Sequence, residues 1–425
     1  MERTLLIISV GGTPEPVAYS LQYWRPARTV FITSTRTAAV VREGVYPALS
    51  EELSRRVEDS ARIEELKDVE NIQSMVDQLL PLRNELLAWK KEHPGSRIIV
   101  DMTGGTKPMS AALTLCATLW EATISYVGGK QRDKEGVGVV TKGQEQLRDT
   151  LHPWDALQMI AVQQALGFLA KNEFGAAVEL LKDTLLKVRR KDVKDRLMAL
   201  LTVALALDHW DRFDIPGALR ETRFVRSKRE ELAAVLGHVE ADKVVAALNA
   251  LVPHWEAIEQ GRGEQPWELD PTRALLADLL ANAKRRMHAG RWDDAVARMY
   301  RTVEAAAQWH LHELGIWAKG KYIAANVPDE VKVRMPKEFR GADTEFKLGV
   351  SAAWTLIGHM DPERAKAFKD SGLGGRSKLL KARNNSILAH GTRPMEEKDA
   401  NALLEAIEVL LGEIEPLPRS PFQAA

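Results

Sequence analysis

The sequence predicts an α/β domain built on a parallel sheet at the N-terminus, followed by a wholly helical remainder. Three observations carry this. Continuous apolar, β-branched runs recur at residues 4–10 (TLLIISV), 28–34 (RTVFITS) and 96–102 (SRIIVDM), and such runs mark strands buried on both faces. Helical stretches separate them, the longest from about Asn71 to Lys91. From about Leu151 the strand patterns vanish, and Leu, Ala, Arg and Glu recur at helical spacing as far as Glu415.

Strands alternating with helices imply right-handed crossovers and a Rossmann-like sheet. Residues 108–122 (PMSAALTLCATLWEA) read as a buried helix and 123–129 (TISYVGG) as a further strand. The run GVGVVTKG at 136–143 is expected to pair with that strand as a hairpin across KQRDKE.

Composition narrows the function classes. Lys+Arg and Asp+Glu both number 59, so the net charge is zero. That excludes a globally basic nucleic-acid coat and leaves room for a local basic site. The single cysteine, Cys116, excludes a disulfide framework and a multi-cysteine zinc site. The opening RTLLIISV is too short for a signal peptide, and no charge-free apolar stretch reaches membrane-spanning length. A cytoplasmic protein with no membrane partner is expected.

In the helical remainder, KNEFGAAVELL (171–181), WDRFDIPGALRE (210–221) and AGRWDDAVARMY (289–300) resemble one another. Each places an aromatic residue, Phe174, Phe213 or Trp292, before a small-residue helix start, with separations of 39 and 79 residues. Two readings stand: helical hairpins of tetratricopeptide-like texture, or turns that any helical bundle produces. The stretch EQGRGEQPWELDPT (259–272) reads as a linker.

In an open parallel sheet, ligands bind beyond the C-terminal ends of the strands. Those ends carry Ser9-Val10-Gly11-Gly12-Thr13-Pro14, then Thr33-Ser34-Thr35-Arg36, then Asp101-Met102-Thr103-Gly104-Gly105-Thr106-Lys107-Pro108. Small hydroxyls and glycines let backbone N–H groups approach a ligand closely. The third string opens a helix, whose N-terminus attracts anions, and Lys107 adds a full positive charge. The pattern is phosphate- or nucleotide-shaped, although it matches neither the P-loop nor the G-x-G-x-x-G motif.

SVGGTPEP together with DMTGGTKPMS resembles the CARF domain, the CRISPR-associated Rossmann fold, over about the first 145 residues. The resemblance implies a homodimer that binds a cyclic oligoadenylate, tetra- or hexa-adenylate, as an allosteric activator. By that resemblance Gly11, Gly12, Thr13, Ser34, Thr35, Thr103, Gly104, Gly105, Thr106 and Lys107 line the ring.

The second chemical signal is RNNSILAHG at 383–391. On a helix, Arg383 and His390 lie two turns apart and share a face, with Asn384 beside it. Gly391 is placed to end the helix, which sets His390 near the negative terminus. Between Arg364 and Arg393 there are eight Lys or Arg residues and one acid, Asp370. Arg376, Lys378 and Lys381 within that run are the candidate RNA-binding cations. An Arg and a His suit metal-free RNA cleavage: the 2′-OH is the nucleophile, the histidine moves protons, and the arginine stabilises the phosphorane charge. The competing reading is a helix end with a cationic cap.

RNNSILAHG resembles the R-x(4–6)-H motif of HEPN ribonucleases, and residues 289–308 resemble the first long helical region of that domain. CARF followed by HEPN is the architecture of the ancillary ribonucleases of type III CRISPR systems. The resemblance implies catalytic Arg383 and His390, supported by Asn384, in a composite site formed by two subunits. It implies cleavage of single-stranded RNA without a metal or other catalytic cofactor, and leaves open slow cleavage of the activator by the CARF loops.

The expected organisation is therefore an α/β Rossmann-like CARF domain at 1–148, a helical hairpin connector at 149–268 and a HEPN-like all-α domain at 269–425. The alternative is a non-catalytic nucleotide-sensing regulator that binds partner proteins through helical repeats. His310 and His312, two residues apart, fall on different helix faces and suit no shared metal.

Overall fold

The computed structural model describes residues 3–129, 143–265, 268–335, 337–338, 348–374, 392–412, 414 and 420–422. Two compact units emerge: residues 1–161 with 183–194, and residues 162–182 with 195–425.

The first unit is organised around β1 (Thr4–Ser9), every residue of which is buried. It is followed by α1 (Glu15–Trp24), β2 (Arg28–Ser34), α2 (Glu51–Ser60), β3 (Ala61–Leu66), α3 (Ile72–Leu79) and α4 (Leu82–Glu92). Then come β4 (Arg97–Asp101), α5 (Lys107–Leu119), β5 (Thr123–Gly129) and β6 (Glu145–Leu151). The strand order is β3-β2-β1-β4-β5-β6. All neighbours are parallel except β5 and β6, so the sheet is mixed, with one antiparallel edge.

Successive β1 side chains feed two cores, as strand alternation requires. Leu5 and Ile7 pack with Met75, Leu79, Leu86 and Leu113 on one face. Leu6 and Ile8 pack with Val17, Leu21, Val41 and Val57 on the other. Cys116 lies in the first of these cores, where burial pushes its thiol up to about 11.

β5 pairs antiparallel with 145–151, and residues 136–142 of the expected hairpin partner lie outside the described residues. Two features differ from the sequence reading. The 71–91 helix is two helices, because Pro81 caps the start of α4 just after α3 ends. β3 (ARIEEL) escaped the apolar-run criterion because it is a charged edge strand: Arg62 pairs with Glu64 and with Glu85 at 2.5 and 2.7 Å. Charged edges discourage strand addition.

The remaining helices are α6 (Pro153–Ala170), α7 (Phe174–Lys187), α8 (Lys191–Asp211), α9 (Ile215–Ser227), α10 (Arg229–Leu236) and α11 (His238–Glu259). They continue with α12 (Arg273–His288), α13 (Trp292–Glu313), α14 (Asp329–Arg334), α15 (Val350–Met360), α16 (Pro362–Asp370) and α17 (Glu397–Leu411). Among the described residues no helix is long and apolar enough to cross a membrane.

The three similar stretches form one repeated turn. Asn172, Phe213 and Gly290 have φ of 59°, 61° and 68°. In each case the next residue donates its N–H five residues back: Glu173 to Phe168, Asp214 to His209, and Arg291 to Arg286, all at 2.9 Å. This is a Schellman ending, which satisfies carbonyls left open at a helix C-terminus. The following helix then opens on Phe174, Ile215 or Trp292, and three residues later each buries an alanine, Ala177, Ala218 or Ala295. The residue equivalent to Phe174 is thus Ile215, and Phe213 takes the left-handed turn position instead.

A buried charged network ties the α8–α9 turn to α12 and α13. Asp211 accepts from Arg285 and Asn282, both at 3.0 Å, and from Arg286. Arg298 donates to Asn282 and to Asp294. Arg285 also lies over the Trp210 ring, 4.0 Å from its centroid. Removing one member of such a buried set costs about 3–5 kcal/mol, because the remaining charges lose their partners.

His310 lies against Trp354 at 5.4 Å, and Trp354 stacks on Phe368 at 4.6 Å. Burial, aided by Arg364, pushes His310 down to about 4. Between its ordinary value of about 6.5 and that value, the unfolded chain binds a proton that the folded chain refuses. His310 therefore contributes stability that is present above about pH 6.5 and is lost as pH falls toward 4. Urea midpoints measured from pH 7 to pH 4 should fall, and His310→Phe should remove that part of the slope.

Candidate ligand-binding site

Strand order reverses between β1 and β4, the switch point at which open α/β sheets place their ligands. The loops after these two strands meet backbone to backbone. A Cβ on Gly104 would strike the Ser9 carbonyl oxygen and stand 2.7 Å from the Gly11 nitrogen. A Cβ on Gly11 would stand 2.8 Å from the Gly105 nitrogen. Ser9 Oγ closes the contact by donating to the Gly104 carbonyl at 2.7 Å. Gly105 has φ +81°, which admits glycine at little cost.

Below the loops is Asp101, fully buried at the end of β4. Its Oδ2 accepts from Ser20 Oγ at 2.7 Å and Ser125 Oγ at 3.0 Å, and its Oδ1 from the Thr103 N–H at 3.0 Å. Burial raises its pKa, opposed by the Thr103, Ser20 and Ser125 donors. Thr103 Oγ1 in turn accepts from the Val127 N–H at 2.8 Å. This network holds α1, β5 and the 102–106 loop together. Sequence reasoning did not single it out; the only signal was an acid closing the Ile-Ile-Val run of a buried strand.

The hydroxyls of the site fall into two sets. Those of Ser9, Ser34, Thr103 and Thr106 are engaged within the protein. Ser34 and Thr37 cap each other, with Oγ and Oγ1 3.1 Å apart. Thr106 caps α5, accepting from the Met109 N–H at 3.3 Å and donating to the Val69 carbonyl at 3.0 Å. Those of Thr13 and Thr35 have no partner among the described residues. Among the described residues no partner is found either for the N–H groups of Gly11, Gly12, Thr13, Gly104 and Gly105. Gly12, Thr35 and Lys107 are exposed, and a Cβ at Gly12 would meet nothing within 4 Å.

The arrangement is a rigid rim of backbone donors at the start of a 13-residue helix, with the Lys107 cation at its first position. Such a rim suits a phosphate or phosphodiester anion. It brings together Gly11, Gly12, Thr13 and Thr103–Lys107, while Ser34 and Thr35 follow the adjacent strand β2.

Arg376, Lys378, Lys381, Arg383, Asn384 and His390 lie outside the described residues. Helix α16 precedes them in the chain. On their C-terminal side, the Met395 N–H donates to Asp293 of α13 at 3.1 Å. Glu304 on α13 is ion-paired with Arg301 at 3.3 Å, and Arg301 also donates to Gln308 at 2.9 Å. His310 and His312 have separate surroundings, His312 Nδ1 lying 3.0 Å from the Trp317 carbonyl.

Comparison with known proteins adds three similarities. Residues 265–412 match the family model described as the Csm6 HEPN domain. The CRISPR system endoribonuclease Csm6 of Thermus thermophilus is 24% identical over 360 residues, spanning 82% of this chain and 73% of that protein. The solved structure of Enterococcus italicus Csm6 bound to cyclic hexa-2′-fluoro-hexa-dAMP superposes with a TM-score of 0.53 at 10% identity. That match covers 96% of this chain and 94% of the other, and it shows a common fold. The three matches agree in what they resemble: residues 265–412 are similar to the Csm6 HEPN domain, and the chain is similar to Csm6 over most of its length and shares the fold of the solved example.

Proposed function

We propose that the chain is a cyclic oligoadenylate-activated endoribonuclease of type III CRISPR defence that cuts single-stranded RNA without a metal. The observation that carries this reading is the anion-accepting rim at the β1/β4 switch point, in a chain whose residues 265–412 match a HEPN domain and contain the Arg383–His390 pair. The three-domain division at 148 and 268 is part of the proposal.

In this reading the activator's phosphodiesters meet the N–H groups of Gly11, Gly12, Gly104 and Gly105, with Lys107 as counter-charge. Activator binding favours the state in which Arg383 and His390 of two subunits face one scissile phosphate, an allosteric coupling between distinct sites. The RNA 2′-OH attacks the adjacent phosphorus and the 5′-oxygen leaves. The proton lost from the 2′-OH and the proton gained by the leaving oxygen both pass through histidine. The products are a 2′,3′-cyclic phosphate and a 5′-OH, with Asn384 supporting the pair and Arg376, Lys378 and Lys381 holding RNA.

A homodimer is supported by α5, whose Leu115 and Leu119 lie one turn apart and are 55% and 52% exposed. Two exposed leucines on one helix face can meet the same pair of a second copy across a two-fold axis. Slow cleavage of the activator would use its own 2′-OH beside Lys107.

The test is cleavage of a fluorescent single-stranded RNA with cyclic tetra- and hexa-adenylate added separately, with and without EDTA. Cleavage with one ring, undiminished by EDTA and leaving cyclic phosphate ends, is the expected result. Loss of activity in EDTA would overturn the metal-free mechanism. Nucleotide binding without RNA turnover would favour the regulator.

A further inference from the structure

The helical connector carries a surface that the proposed chemistry does not use. Helix α9 buries Ile215, Ala218, Thr222 and Val225. Helical periodicity then turns Arg220, Arg223 and Phe224 to the opposite face, with Arg226 at its edge. All four are exposed, and Phe224 is 51% accessible.

From Arg220 to Arg229 five cationic side chains stand against one acid, Glu221, in a chain of zero net charge. The acids nearby are already engaged. Glu221 pairs with Arg220 at 3.1 Å, and Glu230 and Asp242 both pair with Arg229, at 2.5 and 2.7 Å. Arg223 and Arg226 have no ionic partner among the described residues. An exposed phenylalanine alone is ordinary. Beside the unpaired Arg223, with Arg226 one turn farther along the same flank, it has the two components that single-stranded nucleic acid needs: a face for a base to stack on and cations for nearby phosphates.

We infer that the outer face of α9 and its adjoining flank form an accessory docking surface for single-stranded RNA, with Phe224 stacking a base on the face and Arg223 and Arg226, one turn apart, holding adjacent phosphates along the flank. This rests on the reading of RNA as substrate and extends it to a second contact on long substrates. Arg220 and Arg226 lie about 9 Å apart along the axis at 1.5 Å per residue, so the surface grips a short run of backbone. No base-edge contact is implied, and sequence preference is not expected from it.

The full-length chain carrying His390→Ala, which leaves the RNA uncut, is titrated with a long fluorescent single-stranded RNA across a range of salt. Phe224→Ala added to it should weaken binding about 5- to 150-fold. Arg223→Glu with Arg226→Glu should weaken binding and flatten the plot of log affinity against log salt by roughly 0.7 for each phosphate no longer held. With His390 intact, the same surface changes should leave activator-stimulated cleavage of an RNA too short to reach α9 unaltered, which also verifies folding.

Unchanged affinity and slope for the long RNA, or no RNA binding by the parent, would overturn the inference; the arginines would then be a solvated face or a site for an acidic protein. Loss of cleavage of the short RNA would likewise overturn it, since the changes would then act through the fold. If the His390 form cuts no RNA with either ring while the weakened binding of the surface variants persists, the ribonuclease reading fails and the surface stands.

Discussion

Replacing His390 by alanine is expected to lower activator-stimulated RNA cleavage by about 10²–10⁴-fold, the usual contribution of a positioned general acid or base. The 2′-OH is a poor nucleophile until its proton is removed, and the 5′-oxygen is a poor leaving group until it gains one. In the metal-free reading proposed above, no other group in RNNSILAHG exchanges a proton near neutrality: Arg383 stays charged, and Asn384 and Asn385 do not titrate. Arg383→Ala should cause a loss of similar size by removing the cation that meets the developing phosphorane charge. Arg383→Lys should restore little, because a point charge does not reproduce the planar guanidinium fork. Activator binding by the N-terminal loops, measured by calorimetry, should be unchanged in all three variants. Full activity in His390→Ala would overturn the assignment.

Gly104→Ala is expected to weaken activator binding. The added Cβ would strike the Ser9 carbonyl oxygen and lie 2.7 Å from the Gly11 nitrogen. Both are backbone atoms with no rotamer to yield, so the two loops must separate. Overpacking of this kind costs about 1–3 kcal/mol, which is roughly 5- to 150-fold in affinity if it falls on the bound geometry. Gly12→Ala is the contrast, since its Cβ would meet nothing of the protein within 4 Å. It should leave thermal melting unchanged and lower affinity only by obstructing the ligand's approach. Calorimetry with the ring that activates the wild type, alongside melting curves, separates the two effects. Wild-type affinity in Gly104→Ala would remove the rim from the binding site.

Each sequence feature proved legible to the extent that its physical cause is local. Strands β1, β2, β4 and β5 were visible because burial on both faces demands uninterrupted apolar side chains. β3 was not, because an edge strand is stabilised by its neighbour's backbone and by charge pairs such as Arg62 with Glu64, which leave no apolar run. The repeated helical turns were visible as similar strings, but their register was not. Which residue takes the left-handed position depends on where the preceding helix ends, and that moved the second turn from the Phe213 alignment to Ile215.

The candidate sites divide in the same way. The sequence by itself determined the parallel α/β start, the helical remainder, the glycine-threonine loops and the resemblance to CARF and HEPN domains, because short-range pattern and motif spacing encode all of these. Only the tertiary structure decided which loop groups are already engaged within the protein. The hydroxyls of Thr103 and Thr106 are spent on Val127, Met109 and Val69, and Ser9 on the facing loop. The backbone N–H groups of Gly11, Gly12, Gly104 and Gly105 have no partner among the described residues. Residues 95 apart in the chain, Ser9 and Gly104, meet because β1 and β4 are adjacent strands. Hydrogen-bond partners brought together by strand pairing leave no periodicity in the sequence.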